Sequence, residues 1–198
     1  MSFAEDRFNL HAVERFFDAG ICRQLIDEIR LAETSSALTY GRIDSGAVDE
    51  GIRKVKRARL KSHTVAQVTS RLHEHLPRLQ DCFDLPLGTI EEPQFLWYGP
   101  GDFFVAHQDG NTKLIQLESD RLRRVSLSIF LNQQSSEDLP DCYTGGSLVF
   151  TDHAIGTRCD VRGETGKLVA FRSELTHEVT PVESGHRFTI VTWCRIMA

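Results

Sequence analysis

Residues 95–110 read FLWYGPGDFFVAHQDG and place His107 and Asp109 one residue apart. Successive side chains of a β-strand point to opposite faces, so these two side chains are expected on the same face. The turn sequence Gly99-Pro100-Gly101 separates two short apolar runs, a pattern typical of consecutive strands. The stretch therefore predicts a strand on which one imidazole and one carboxylate converge on a single point.

A third ligand is expected far away in sequence, on a neighbouring strand, and His177 is the good candidate. Two histidines and one carboxylate with open coordination positions form the facial triad of non-haem Fe(II) oxygenases. Arg187 follows His177 by ten residues, and a guanidinium in a β-walled pocket binds a carboxylate in bidentate fashion. Zinc also suits the three ligands. A cation placed to bind the far end of a short diacid favours iron.

Short β-like runs with turn residues between them fill the chain from residue 91 onward. About eight short strands in sequence predict a double-sheet jelly roll or a barrel. The predicted strands are residues 94–98, 103–108, 123–131, 147–150, 160–162, 167–171, 178–182 and 186–195.

Two segments ahead of these strands show the three- and four-residue apolar spacing of amphipathic helices. The first is residues 11–33, in which Gly20 marks a turn before a longer helix from Cys22, and the second is residues 63–83. Helices that precede strands are expected to pack outside one sheet. We predict a single, mainly β domain over residues 1–198, with residues 1–90 as a helical buttress with substrate-side loops and residues 91–198 as the jelly-roll core.

Residues 34–52 are rich in Ser, Thr, Gly and Asp, which predicts a loop. Residues 53–61 then carry six cations in nine positions, the only basic cluster of an acidic chain. One interpretation is a basic rim that attracts an anionic substrate. The other is a solvated strand edge on which lysines block further pairing, and the sequence leaves both open.

Composition narrows the class of protein. The chain has 198 residues, 40% of them hydrophobic and 26% charged, which suits one globular domain. Its net charge of -5 disfavours a nucleic-acid partner. Five widely spaced cysteines without a CxxC pair predict reduced thiols and a cytoplasmic protein. No signal peptide and no membrane-spanning run is visible, so no membrane partner is expected, and the oligomeric state stays open.

The chain resembles the prolyl 4-hydroxylase-like family of Fe(II)/2-oxoglutarate-dependent dioxygenases in several ordered motifs over roughly residues 90–195. These motifs are YGPGDFFVAHQDG, RRVSLSIFLNQ, GGSLVF and GKLVAFRSELTHEVTPVESGHRFTIVTW. The resemblance implies a double-stranded β-helix, which is a cupin-like jelly roll, buttressed on one sheet by N-terminal α-helices.

The same resemblance implies roles for particular residues. The family's iron ligands match His107, Asp109 and His177. Arg187 matches the basic residue that pairs with the distal carboxylate of 2-oxoglutarate. Tyr98 matches a tyrosine near the co-substrate, and Trp193 matches an aromatic that closes the pocket or packs in the core.

Two positions depart from the family pattern. Phe130 stands where a tyrosine that touches the co-substrate is common, and Val191 stands where some relatives have threonine. Both changes remove a hydrogen bond to the diacid. Ser126 and Ser128 share a strand face with Phe130, so either serine is a candidate substitute, directly or through water. Ser128 is accordingly placed among the co-substrate residues.

The implied reaction uses Fe(II), 2-oxoglutarate and O2, with ascorbate as an additional reductant, and hydroxylates a C–H bond while 2-oxoglutarate is decarboxylated to succinate. Family precedent for the substrate is a prolyl or other residue of a protein or peptide, a free amino acid, or another small molecule. Loops around the barrel mouth select the substrate. The candidate loops are residues 34–61, 110–121 and 133–144, of which the last is polar, acidic and suited to a lid.

Two alternatives from other classes remain at this point. One is a non-catalytic sensor module that binds metal and 2-oxoglutarate without turnover. The other is a cupin-type zinc or iron enzyme that does not use 2-oxoglutarate, which predicts activity indifferent to Arg187→Ala. Nucleic-acid demethylation fits less well, because the second arginine of the alkylation-repair relatives falls at Trp193.

Overall fold

The structure is a computed structural model that describes residues 7–37, 49–113, 115 and 117–197. It contains fifteen strands and three helices among those residues. In chain order they are β1 His11–Val13, α1 Ala19–Leu31, β2 Thr34–Ser36, β3 Arg53–Lys54, β4 Lys56–Ala58, α2 Ser62–Phe83, β5 Leu87–Ile90, β6 Gln94–Tyr98, β7 Phe103–His107, α3 Glu118–Arg121, β8 Arg123–Phe130, β9 Tyr143–Gly145, β10 Leu148–Asp152, β11 Thr157–Val161, β12 Leu168–Arg172, β13 His177–Val179, β14 Val182–Gly185 and β15 Arg187–Ile196.

Two antiparallel sheets form the body of the molecule. The larger, eight-stranded sheet runs β1-β12-β8-β15-β6-β4-β2, and β5 pairs with β15 beside this path. The smaller sheet runs β11-β10-β13-β7-β3, and β14 pairs with β9 separately. This architecture confirms the predicted double-stranded β-helix with helices on the outside of one sheet.

Strand β15 divides the interior into an apolar side and a polar side. Its side chains alternate, so Phe188, Ile190 and Cys194 belong to the apolar cluster that the helices cover. The other face of the strand turns toward the smaller sheet and begins with Arg187. The region between the sheets therefore receives polar side chains, while most of the hydrophobic core lies between the larger sheet and the helices.

Helix α2 confirms the prediction for residues 63–83. Its apolar stripe Val68, Leu72 and Leu79 is buried against the larger sheet. The helix ends at Asp84, which adopts a left-handed conformation with φ 50°.

The prediction for residues 11–33 is wrong in its first half. His11–Val13 is a strand that pairs with β12, and the helix begins only at Ala19. Asp18 caps that helix by accepting from the backbone N–H of Ile21 at 2.9 Å, so Gly20 lies in the first turn and does not interrupt the helix. The free edge of β12 offers backbone hydrogen bonds to residues 11–13, and this tertiary pairing overrides the helical spacing of Val13, Phe16 and Phe17.

All eight predicted strands are present, but seven short strands were missed: β1, β2, β3, β4, β5, β9 and β14. They have two to four residues, too few for an alternating pattern to emerge. The predicted strand 178–182 is split at Pro181, because proline has no N–H to donate to a ladder. Within the predicted loop 34–52, Thr34–Ser36 is a strand, and residues 38–48 lie outside the described residues.

The division into a buttress and a core stays a prediction. Strands β2, β3 and β4 come from residues 1–90, yet β3 pairs with β7 and β4 pairs with β6.

No helix in the described part of the chain is both long and apolar enough to cross a membrane.

We expect Leu79→Ala to lower the free energy of unfolding by about 2–5 kcal/mol, because it leaves a cavity between α2 and the sheet. Leu79 is 0% exposed, whereas Leu31 on α1 is 89% exposed. Leu31→Ala is therefore the matched control and is expected to change stability by less than about 0.5 kcal/mol. Urea denaturation of the two variants measures both values, and equal losses would contradict the placement of α2.

Candidate active site

Strand pairing brings the two predicted histidine ligands together. His107 is the last residue of β7 and His177 is the first residue of β13, and the two residues are directly paired. Asp109 Oδ1 lies 3.4 Å from His107 Nε2, and Asp109 Oδ2 lies 3.4 Å from His177 Nε2. One ligand atom from each residue lies within 4.8 Å of the others, a spacing at which three donors can share one metal ion.

Asp109 reaches the cluster in a different way from that predicted. Strand β7 ends at His107, so Asp109 is not held by strand alternation. Its backbone N–H instead donates to the carbonyl of Ser173 at 2.9 Å. Its side chain accepts from Ser126 Oγ at 2.7 Å, and Ser126 also hydrogen-bonds Ser173 at 2.9 Å. Contacts from β8 and the β12–β13 connection therefore fix the carboxylate.

Backbone carbonyls set the tautomers of both imidazoles. His107 Nδ1 lies 2.8 Å from the carbonyl of Val105, and His177 Nδ1 lies 2.9 Å from the carbonyl of Leu175. A carbonyl only accepts, so each Nδ1 carries the proton and each Nε2 lone pair is left for the cluster. This arrangement orients a histidine for metal binding.

Aromatic rings enclose the two imidazoles. Phe104 stacks on His107 with ring centroids 3.6 Å apart, and Phe171 meets His177 edge-on at 4.7 Å. Burial lowers the pKa of His177 to about 4, so this imidazole is neutral near pH 7. Burial by itself would raise the pKa of Asp109, but His177, His107 and the indole of Trp193 together hold it well below its usual range. His177 thus presents a neutral nitrogen and Asp109 an ionised carboxylate, the protonation states that a metal requires.

Arg187 is the predicted site residue in a second part of the barrel interior. It is 1% exposed, and its guanidinium lies 4.8 Å from the centroid of Tyr98 and 5.3 Å from that of Phe130. The guanidinium donates to Thr189 Oγ1 at 3.3 Å, and Nε has no hydrogen-bond partner among the described residues. No ion pair joins it to an acidic side chain of the described residues. A buried guanidinium without an anion is costly, so its surroundings fit a carboxylate ligand.

The residues between Arg187 and the cluster line up across the larger sheet. Val191 pairs with Ser128, and Trp193 pairs with Ser126. Ser126 is committed to Asp109, which leaves Ser128 as the serine available to a co-substrate. Tyr98 is paired directly with Arg187 across the larger sheet.

Trp193 contacts a charged side chain and is not packed only among apolar residues. The guanidinium of Arg123 stacks 3.9 Å over its ring, and Arg123 is held by Glu91 at 2.8 Å. Because the indole also acts on the pKa of Asp109, Trp193 links the metal cluster to this ion-pair network.

The basic segment 53–61 is divided by the fold. Arg53 is only 8% exposed and lies 4.8 Å over the ring of Phe104, next to the cluster. Lys54 pairs with Asp102 at 3.3 Å and Arg57 pairs with Glu92 at 3.8 Å, and the side chains of both cations are exposed to solvent. Arg53 is thus the cation of this segment that lies beside the ring packed on His107.

Sequence reasoning missed Arg53 as an interior residue, Ser126 as a partner of Asp109, and Tyr143 beside Arg187. The period-two pattern of β8 did place Ser126 on the interior face. No local signal marks the other two. The interpretation of residues 133–144 as a lid stays a prediction, and Tyr143, near the end of that loop, lies beside Arg187.

Comparison with known proteins agrees with this geometry. Residues 93–195, just over half of the chain, match the model of the 2OG-Fe(II) oxygenase superfamily. A PKHD-type hydroxylase of Hyphomonas neptunium is 28% identical over 181 residues, covering 87% of this chain and 76% of that protein.

Two solved structures share the fold. A Pseudomonas putida prolyl-4-hydroxylase is 24% identical with a TM-score of 0.73, over 98% of this chain and 96% of its own. A Trichoplax adhaerens prolyl hydroxylase, in complex with a hypoxia inducible factor oxygen degradation domain peptide fragment, is 16% identical with a TM-score of 0.74, over 97% and 86% of the two chains.

The chain belongs to the 2OG-Fe(II) oxygenase superfamily. Within it, the chain is a prolyl 4-hydroxylase-like enzyme of the hydroxylase type that uses Fe(II), 2-oxoglutarate and O2. The donor set of the cluster and the unpaired guanidinium of Arg187 both fit these groups.

We expect Ser126→Ala to weaken Fe(II) binding by about 10–100-fold, the usual effect of removing a group that orients a metal ligand. Ser128→Ala removes the same hydroxyl two residues along the same strand face, where no contact to Asp109 is made, and should leave metal affinity unchanged. Anaerobic competition with a chromophoric chelator, without 2-oxoglutarate, measures both. Equal affinity of the two variants would show that Ser126 does not position Asp109.

The metal-free protein is expected to lose stability as the pH falls from about 6.5 to about 4. The pKa of His177 is lowered in the folded state, so in this window the unfolded chain binds more protons at this site. The contribution is complete above pH 6.5 and falls by up to about 1.4 kcal/mol per pH unit below it. Urea denaturation with chelator present, compared with His177→Gln, isolates the effect; parallel pH profiles would contradict it.

Proposed function

We propose that this enzyme hydroxylates a C–H bond of its substrate and couples that reaction to the decarboxylation of 2-oxoglutarate to succinate. In this proposal His107, Asp109 and His177 hold Fe(II), and Arg187 binds the distal carboxylate of 2-oxoglutarate. The observation that carries it is the pairing of a two-histidine, one-carboxylate cluster with a fully buried guanidinium in the same barrel. A metal site alone does not account for Arg187.

The iron, the oxo acid and O2 supply the oxidative chemistry. The side chains of the chain bind and orient. The carboxylate of Asp109 would offset part of the charge of the metal, and both imidazoles would bind it through Nε2, because each Nδ1 lies against a backbone carbonyl. Arg187 fixes one end of the diacid, while Tyr98 and Ser128 line its path toward the cluster. Phe104 and Trp193 exclude water from the ligand side chains.

We propose a prolyl or other residue of a protein or peptide as the substrate, with a free amino acid as the small-molecule alternative. The Pseudomonas putida and Trichoplax adhaerens relatives, both prolyl hydroxylases by name, support the peptidyl class. Arg53 supports a substrate that carries an acidic group, because it lies beside the cluster and its guanidinium interacts with the charge of Asp109. Two further cations of the segment, Lys54 and Arg57, pair with the carboxylates of Asp102 and Glu92, which does not favour a nucleic acid.

The test is succinate formation from 2-oxoglutarate by anaerobically purified protein that receives Fe(II) and then air. Wild type should release succinate slowly, and a prolyl peptide that is a substrate should stimulate the release. Asp109→Ala should abolish it because the metal is lost. Arg187→Ala should raise the KM for 2-oxoglutarate by at least about tenfold, because a charged pair is removed.

Leu31→Ala, at an exposed position far from these residues, is the control for handling and folding. Activity of Arg187→Ala with an unchanged KM for 2-oxoglutarate would contradict the assignment of Arg187 to the distal carboxylate. Failure of wild type to bind 2-oxoglutarate in the presence of metal would sink the proposal as a whole.

A further inference from the structure

The guanidinium of Arg187 is surrounded by aromatic side chains and lies close to a glycine. Tyr98 and Phe130 flank it, at 4.8 and 5.3 Å from the guanidinium carbon to each ring centroid. Of these two rings only Tyr98 carries a hydroxyl. Phe130 has no hydroxyl, so this residue of β8 offers no hydrogen-bond donor beside the guanidinium.

A different tyrosine, on β9, lies beside the same guanidinium. Tyr143 is 1% exposed, and its ring packs with Leu96, Tyr98 and Val182 between the sheets. Its phenol oxygen is buried without a hydrogen-bond partner. The guanidinium of Arg187 approaches this oxygen and acts on its pKa, but the pair does not meet hydrogen-bond geometry.

Two glycines make this approach possible. A Cβ at Gly146 would lie 3.2 Å from both Arg187 Cδ and the Tyr143 ring. A Cβ at Gly163 would collide with the phenol oxygen of Tyr143. The backbone therefore leaves room for a phenol and a guanidinium side by side, with no side chain between them.

The guanidinium of Arg187 and the phenol of Tyr143 each have a buried polar atom without a hydrogen-bond partner, and one acceptor could bind both. Arg187 Nε is a donor without an acceptor, and a guanidinium has no acceptor to offer the phenol O–H. A buried hydroxyl without a partner costs free energy, and so does a buried unpaired cation. Burial raises the pKa of Tyr143, so the phenol keeps its proton and remains a donor. A carboxylate placed between the two side chains accepts from both.

We propose that Tyr143 donates a hydrogen bond to the distal carboxylate of 2-oxoglutarate, beside Arg187, and supplies the donor that Phe130 lacks. This inference rests on the proposed function and assigns Tyr143 as a co-substrate-binding residue of that site. The phenol of Tyr143 and the guanidinium of Arg187 then form one anion site contributed by two sheets, β9 and β15.

The test is calorimetric binding of 2-oxoglutarate to Zn(II)-loaded protein, where no turnover occurs. Tyr143→Phe keeps the ring and removes only the hydroxyl, and it should weaken 2-oxoglutarate by about tenfold or more, the effect of losing a hydrogen bond to a charged group. 2-Oxobutanoate keeps the oxo acid and lacks the distal carboxylate, so its affinity should be equal in wild type and variant. Thr144→Val is the matched control, because its hydroxyl lies on the same strand but bonds Ser184 at 3.1 Å.

A second measurement separates direct contact from an effect through Arg187 and needs no variant of Tyr143 to fold. The chain has three tyrosines, so ring-labelled ¹³C-tyrosine gives a simple NMR spectrum. The Cζ resonance of Tyr143, assigned by its absence in Tyr143→Phe or by elimination using Tyr40→Phe and Tyr98→Phe, should shift on adding 2-oxoglutarate and stay in place on adding 2-oxobutanoate.

The outcomes distinguish the two proposals. If wild type binds 2-oxoglutarate and Tyr143→Phe binds it equally well, the inference about Tyr143 is wrong and the proposed function stands. A resonance that does not move on 2-oxoglutarate binding also overturns direct contact. If wild type binds no 2-oxoglutarate in the presence of metal, the proposed function itself fails.

Discussion

The carboxylate of Asp109 is the group on which the arrangement of this barrel depends. Its side chain is only 11% exposed, and an ionised carboxylate so placed must be compensated. Two imidazoles, the hydroxyl of Ser126 and the indole of Trp193 surround it, and they come from β7, β13, β8 and β15. Both sheets therefore have to close in one register for this charge to be tolerated, and the same register creates the metal cluster.

The barrel separates two kinds of interior. Outward-facing residues of β8 and β15 join the helices in a large apolar cluster, which supplies most of the burial. Inward-facing residues of the same strands include Ser126, Ser128 and Arg187, all of which are buried. Packing on the helix side can thus stabilise polar groups on the other side of one sheet, and those groups include residues that we propose bind the metal and the anion.

Much of the site was predictable, and its exceptions have physical causes. The order His107, Asp109, His177, Arg187 follows from motifs and strand spacing, which are local properties. The predicted helix over residues 11–18 failed because an unpaired edge of β12 competed for its backbone. Strands β3 and β4 were not predicted, because they have only two and three residues. The burial of Arg53 follows from the pairing of β3 with β7.

The amino-acid sequence alone was enough to predict the family, the strands of the core, helix α2 and the four residues proposed for the metal and anion sites, because periodicity and motif spacing lie in neighbouring positions. The three-dimensional structure was needed to show that Ser126 donates to Asp109, that Phe104 contacts both Arg53 and His107, and that Tyr143 lies beside Arg187. Each of these contacts joins strands distant in sequence, and strand register and sheet closure fix which side chains meet. No pattern within one segment contains that information.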